Sequence, residues 1–129
     1  MIDLQAKAIA MGFPADIRWE CRPQWQRLYV VQDGMCFYCD CGLLKESHGG
    51  PQSHAVGGQR PFTRDHVMPV AWRGRTQENN KVLACEPCNQ AKGDSYPTLE
   101  MAKRLVRQCK RLGLEPPSWC HRLLIEAAA

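Results

Sequence analysis

The chain has 129 residues, a net charge of +4 and a mean hydropathy of −0.43, which is the size of one domain with a modest apolar supply. The charge is a mild push toward polyanions and too small by itself to specify one. No apolar run approaches the roughly 20 residues that span a bilayer. Met1 to Lys7 carries an acid and no apolar h-region, so the eight cysteines read as thiols or metal ligands in a reducing, cytoplasmic compartment rather than as secreted disulfides.

Along the chain, Ala6, Ile9 and Ala10 form one side of a short helix that Gly12 and Pro14 end. From Pro23 a second helix runs to Gln32, with Trp25, Leu28 and Tyr29 on one face, and Asp33-Gly34 stops it just before Cys36. Gly42 to Pro61 is glycine- and serine-rich and reads as loop, with no packed element expected. A short strand is predicted over Phe62 to Val67, a polar loop over Ala71 to Asn79, and a second strand over Lys81 to Ala84. Pro87 suits the first turn of a short helix that Gly93 ends. Pro97 or Thr98 opens a longer helix to Leu112, closed by Gly113. Its apolar stripe is Leu99, Ala102, Leu105, Val106, Cys109 and Leu112, with Arg104 and Arg107 mostly off it. Pro116-Pro117 breaks the chain before a last helix from Ser118 to Glu126.

The chemistry concentrates in the middle. Two Cys-x-x-Cys pairs, Cys36/Cys39 and Cys85/Cys88, have the spacing of a tetrahedral four-thiolate zinc site. Cys21, Cys41, Cys109 and Cys120 read instead as small buried hydrophobes. Between the pairs stands Asp65-His66, and Asn89 directly follows a zinc ligand. A carboxylate and a carboxamide oxygen leave several coordination positions open, which suits Mg²⁺. A neutral His66 can take a proton from an attacking water. In a strand the two neighbours point to opposite faces, so they approach a phosphate from two sides rather than grip one ion. Asn80, at the end of the polar loop, is placed to pin that loop and to hold the carbonyl that orients His66, with Asn79 as its competitor. Arg64, Arg73, Arg75 and Lys92 would flank the site and meet phosphates, as would Arg104 and Arg107 on the long helix. For each of these the alternative is a solvated surface charge. His48 and His54 read as loop residues, and a second metal site with Cys41 is the other option for them.

The set Asp65-His66-x-x-Pro69, then Asn80, then Cys85-x-x-Cys88-Asn89-x-x-Lys92-Gly93 resembles the HNH endonucleases with a four-cysteine zinc site, in the variant whose last histidine is an asparagine. The resemblance covers about residues 34–94. It implies a small ββα-metal core; with the four-cysteine zinc site as its staple and the helices read at about 23–32 and 97–126 as its flanks, the expected fold is α+β, one domain over 1–129. It implies Asp65 and Asn89 as divalent-metal ligands, His66 as general base and Asn80 as the loop-orienting residue. A metal-dependent DNA endonuclease leaving 5′-phosphates is the expectation. Structural Zn²⁺ and catalytic Mg²⁺ or another divalent ion would be its cofactors, and DNA, not a membrane, its partner. Two features depart from the family pattern. Arg73-Gly74-Arg75 stands where a Gly-Gly pair is common, and the stretch from Cys39 to Asp65 is long and glycine-rich. A zinc-stapled DNA-binding module without catalysis and a zinc scaffold for protein contacts are the competing readings; neither needs the Asp-His pair or Asn89.

Overall fold

A computed structural model describes residues 3–48, 58–75 and 77–128. Two helices precede the sheet: α1 (Leu4–Ala10), capped by the Asp3 side chain, and α2 (Gln24–Val31). Three strands follow, β1 (Leu43–His48), β2 (Arg60–His66) and β3 (Lys81–Cys85), in the order β1-β2-β3. β2 pairs antiparallel with β3, Asp65 opposite Val82 and His66 opposite Lys81. β3 runs directly into α3 (Glu86–Lys92), giving a ββα unit. Two further helices complete the chain: α4 (Leu99–Leu112) and α5 (Ser118–Ala128). No helix among the described residues is long and apolar enough to cross a membrane.

The ends of α4 form where the sequence predicts them. The Thr98 hydroxyl accepts from the Met101 amide, and Gly113 closes the helix at φ 73°, where a side chain would be strained. Its stripe of Ala102, Leu105 and Cys109 packs with Val67, Val82, Trp119 and Cys120 in one apolar cluster. A second cluster joins Leu28, Tyr29 and Val30 of α2 to Leu43, Phe62, Leu83 and Ala84 of the sheet. Helices from both ends of the chain therefore pack against the ββα unit. The free edge of β3 is closed by a side chain. Gln32 Oε1 accepts from the Leu83 amide and its Nε2 donates to the Leu83 carbonyl, both at 2.9 Å, so a carboxamide replaces a fourth strand.

Two expectations are corrected. The stretch from Gly42 to Pro61 is not all loop: Leu43–His48 is a strand parallel to β2, and β2 itself begins at Arg60. The sheet supplies the partner that the local sequence does not advertise. The remainder of that loop, His54 included, lies outside the described residues. Cys21 is exposed rather than buried, and Cys41 is half-buried. The inward position beside Cys21 is taken by Arg22, fully buried and hydrogen-bonded to Gln5, Gln26 and the Pro14 carbonyl. Cys109 and Cys120 are buried as expected.

Candidate metal centre and active site

Cys36 and Cys39 lie in the turn after α2, and Cys85 and Cys88 span the junction of β3 and α3. All four sulfurs lie within 4.8 Å of one another. A tetrahedron with zinc–sulfur bonds of about 2.3 Å has edges of roughly 3.8 Å. Cys39 Sγ and Cys85 Sγ stand 3.8 Å apart. The backbone amides of Tyr38 and Cys85 both point at Cys36 Sγ at 3.4 Å, donors that favour a thiolate there. Donor set and size both fit zinc. Cys41 stands beside the four, where burial and then the neighbouring Cys39 and Cys85 push its thiol up to about 12.

Asp65 and His66 end β2. Helix α3 and the Cys36–Cys39 turn converge on the Asp65 carboxylate. Tyr38 Oη donates to Asp65 Oδ2 at 2.5 Å, and Lys92 Nζ of α3 lies 3.4 Å from the same oxygen. Burial, and then the Asp65 charge and hydrogen bond, raise the Tyr38 pKa far above its ordinary value, so the phenol stays a donor. Oδ1 accepts no hydrogen bond from a described residue. Asn89 reaches Thr63 Oγ1 at 3.5 Å, two residues before Asp65 on the same side of β2. A free carboxylate oxygen and a nearby carboxamide are hard donors of the kind Mg²⁺ accepts.

His66 Nε2 is buried and has no hydrogen-bond partner among the described residues. Burial, then the cation of Lys81, push the imidazole pKa below its ordinary value; Asp65 opposes this and Lys92 adds to it. Burial and the Lys81 cation both favour the neutral imidazole. Its backbone carbonyl accepts from Lys92 Nζ at 2.9 Å.

Asn80 ties the loop together. Its Oδ1 accepts from the Met68 amide at 3.0 Å, and its Nδ2 donates to the carbonyls of Met68 and Arg75 at 3.1 and 2.9 Å. Its own carbonyl accepts from the Val67 amide. One buried asparagine thus ties the residues just after His66 to the far end of the loop. Asn79, by contrast, turns away to the Glu115 carbonyl.

The cationic residues divide. Lys92 is buried within the site and faces Asp65. Arg64, Arg73 and Arg75 are exposed and form no ion pair among the described residues. Arg104 is engaged inside the chain: it donates to the Phe37 carbonyl at 2.9 Å and pairs with Asp40 and Glu100. Arg107 also faces Glu100. Tyr38 escaped the sequence reading because it stands in a Cys-x-x-Cys spacer. An aromatic phenol inside a metal knuckle was the only signal available.

Residues 36–95 match the family model described as HNH endonuclease. This stretch is similar to the HNH endonucleases. The match spans the cysteine cluster, β2, β3 and α3, and the α4–α5 pair lies beyond it. No curated protein is significantly similar to the chain.

Proposed function

We infer that the chain is a metal-dependent DNA endonuclease in which His66 is the general base. The observation that carries this is the end of β2. There a neutral imidazole with an unpartnered nitrogen adjoins a carboxylate clamped by Tyr38 and Lys92. A purely structural histidine would have its buried nitrogen paired. The HNH match and the cysteine cluster support the same reading.

Asp65 and Asn89 would hold the divalent ion. When bound, that ion would offset negative charge on the phosphate and the leaving oxygen. His66 takes a proton from a water as the water oxygen bonds to phosphorus. The bond from phosphorus to the 3′-oxygen breaks, leaving a 5′-phosphate and a 3′-oxyanion that takes a proton from solvent to become the 3′-hydroxyl. Tyr38 and Lys92 fix the carboxylate, so only one of its oxygens is committed to the protein. Asn80 keeps the Met68–Arg75 loop closed, which fixes the chain leaving His66. The four cysteines would hold Zn²⁺ and so anchor the turn that carries Tyr38.

A non-catalytic zinc-stapled DNA-binding module is the alternative. Incubation of supercoiled plasmid with the full chain, Mg²⁺ added or withheld, separates the two. Nicked or linear product with Mg²⁺, lost in His66→Ala, is the expected result. Retarded but uncut plasmid would favour the binding module.

A further inference from the structure

Beside the Asn80-pinned loop lies a groove of about 590 Å³ that the mechanism does not use. Trp72 and Tyr96 stand in its wall, 55% and 47% exposed, with ring centroids 5.4 Å apart and planes at 84°. Exposed tryptophan is uncommon on a small domain, and a neighbouring pair more so. The pair is held in place. Trp72 Nε1 donates to the Asp94 carbonyl at 3.0 Å, and its backbone amide to the Pro69 carbonyl at 2.9 Å. Gly74 makes the turn possible, because a Cβ there would lie 1.7 Å from the Met68 carbonyl oxygen. Arg73 takes a left-handed conformation, φ 65°, to enter this turn.

Three arginines, Arg73, Arg75 and Arg122, line the same groove, and no acidic side chain among the described residues does. None of the three forms an ion pair or a side-chain hydrogen bond with a described residue. Trp119, from α5, also contributes to the wall, and its buried indole N–H has no acceptor among the described residues. The groove therefore combines two exposed aromatic rings held at a right angle with unpaired guanidinium groups. Asn80 itself lines it, and the same side chain ties its loop to the residue after Val67. The groove and the candidate active site are thus mechanically one piece.

We propose that this groove binds an unpaired nucleotide of the DNA substrate, its base packed into the right angle between the Trp72 and Tyr96 rings, against the face of one and the edge of the other, and its flanking phosphates on Arg73, Arg75 and Arg122. Within a continuous duplex both faces of each base are covered by neighbours, so an exposed aromatic ring gains no stacking from it. A bulged, mismatched or single-stranded base offers a free face. The preorganised pair loses little rotamer freedom on binding. The inference rests on the nuclease reading and narrows its substrate from any duplex to DNA with an unpaired base near the cut.

The test uses the full chain with Mg²⁺ withheld and two fluorescein-labelled probes: a paired duplex, and the same duplex with one unpaired thymine. The wild type is expected to bind the second about 5- to 100-fold more tightly. Trp72→Ala combined with Tyr96→Ala should abolish that preference while leaving affinity for the paired duplex unchanged, and Trp72→Phe should keep most of it. Both aromatic residues are exposed, so zinc content and circular dichroism of the variants should match wild type. Equal wild-type affinity for the two probes overturns the proposal, as does a preference that survives the double alanine variant. Plasmid cleavage is scored in parallel. Cleavage with Mg²⁺ but no preference removes the groove and leaves the nuclease. Preference without cleavage keeps the groove and removes the hydrolytic reading.

Discussion

Cys36 and Cys85 are 1% and 2% exposed, their sulfurs lie within one cluster, and the Cys36 sulfur accepts from the Tyr38 and Cys85 amides. His66 Nε2, in the same ββα unit, is also buried, and no described residue meets it. In the cysteine knot the sulfurs are turned on one another, or on an ion that completes them. At the end of β2 an acceptor is left open. A closed set of donors and acceptors stabilises the fold. An unsatisfied buried nitrogen opposes folding, by roughly 1–3 kcal/mol, and is retained where something from outside completes it. Tyr38 joins the two regions, since its residue lies in the knuckle and its hydroxyl on Asp65. The contrast teaches that this unit separates the part that holds shape from the part that waits for a ligand.

The strongest way to break this separation is to open the knot. Cys85→Ala should release zinc and most of the native structure, because zinc binding in small sites is worth about 10–16 kcal/mol, as much as a whole domain's stability. Elemental analysis and thermal unfolding by circular dichroism measure both losses. A folded Cys85→Ala protein of wild-type melting temperature would mean the knot is not what holds the unit together.

His66→Ala should do the reverse. Cleavage should fall by about 10²- to 10⁴-fold, while zinc content stays and the melting temperature holds or rises, since an unpaired buried nitrogen is removed. The pH profile sharpens the point. A general base works only when unprotonated. Burial and Lys81 lower the His66 pKa, so the proton is lost at a more acidic pH than usual. Activity should climb with pH, with its midpoint on the acidic side of the ordinary imidazole value of about 6.5. A plateau reached only in the alkaline range would point to a different base.

How far the sequence announces this arrangement depends on how local each signal is. The cysteine spacing, the Thr98 cap and the Gly113 stop are written within a few residues and form as expected. The strand β1 is not local: Leu43 to His48 has no clean alternation and becomes a strand only because β2 lies beside it. The role of Lys92 was half-legible. Its place after Asn89 put it near the site, but its burial against Asp65 depends on how α3 packs across β2. The groove was illegible for the same reason. Trp72, Tyr96 and Trp119 stand on three separate segments, and each alone looks like an ordinary surface or core aromatic.

Removing only the link between the two regions should give a smaller effect than either. Tyr38→Phe keeps the ring, and with it the contact to Phe37, but deletes the donor to Asp65 Oδ2. Zinc should be retained and stability changed by about 1 kcal/mol. Cleavage should fall about 10- to 100-fold, with a higher Mg²⁺ concentration needed for half-maximal rate, because an oriented ligand carboxylate has lost its support. Wild-type activity and Mg²⁺ dependence in this variant would confine Tyr38 to the knuckle.

The same distinction between engaged and open groups divides the arginines, where the expected effects are smallest. Arg104 donates to the Phe37 carbonyl and faces Asp40, so it belongs with the closed region although it sits on the basic side of α4. Arg73 and Arg75 have no such partners and belong with the open one. Arg104→Ala should lower stability by about 1–2 kcal/mol, through the carbonyl it leaves bare, and leave the salt dependence of DNA binding unchanged. Arg73→Ala with Arg75→Ala should leave stability alone. If each guanidinium neutralises one phosphate, the slope of log affinity against log salt should flatten by about 1.8. Fluorescence anisotropy across a salt series reads the slope and thermal melts read the stability. An exchange of these outcomes, with the slope following Arg104, would place the DNA along α4 and show that its internal hydrogen bonds give way on binding.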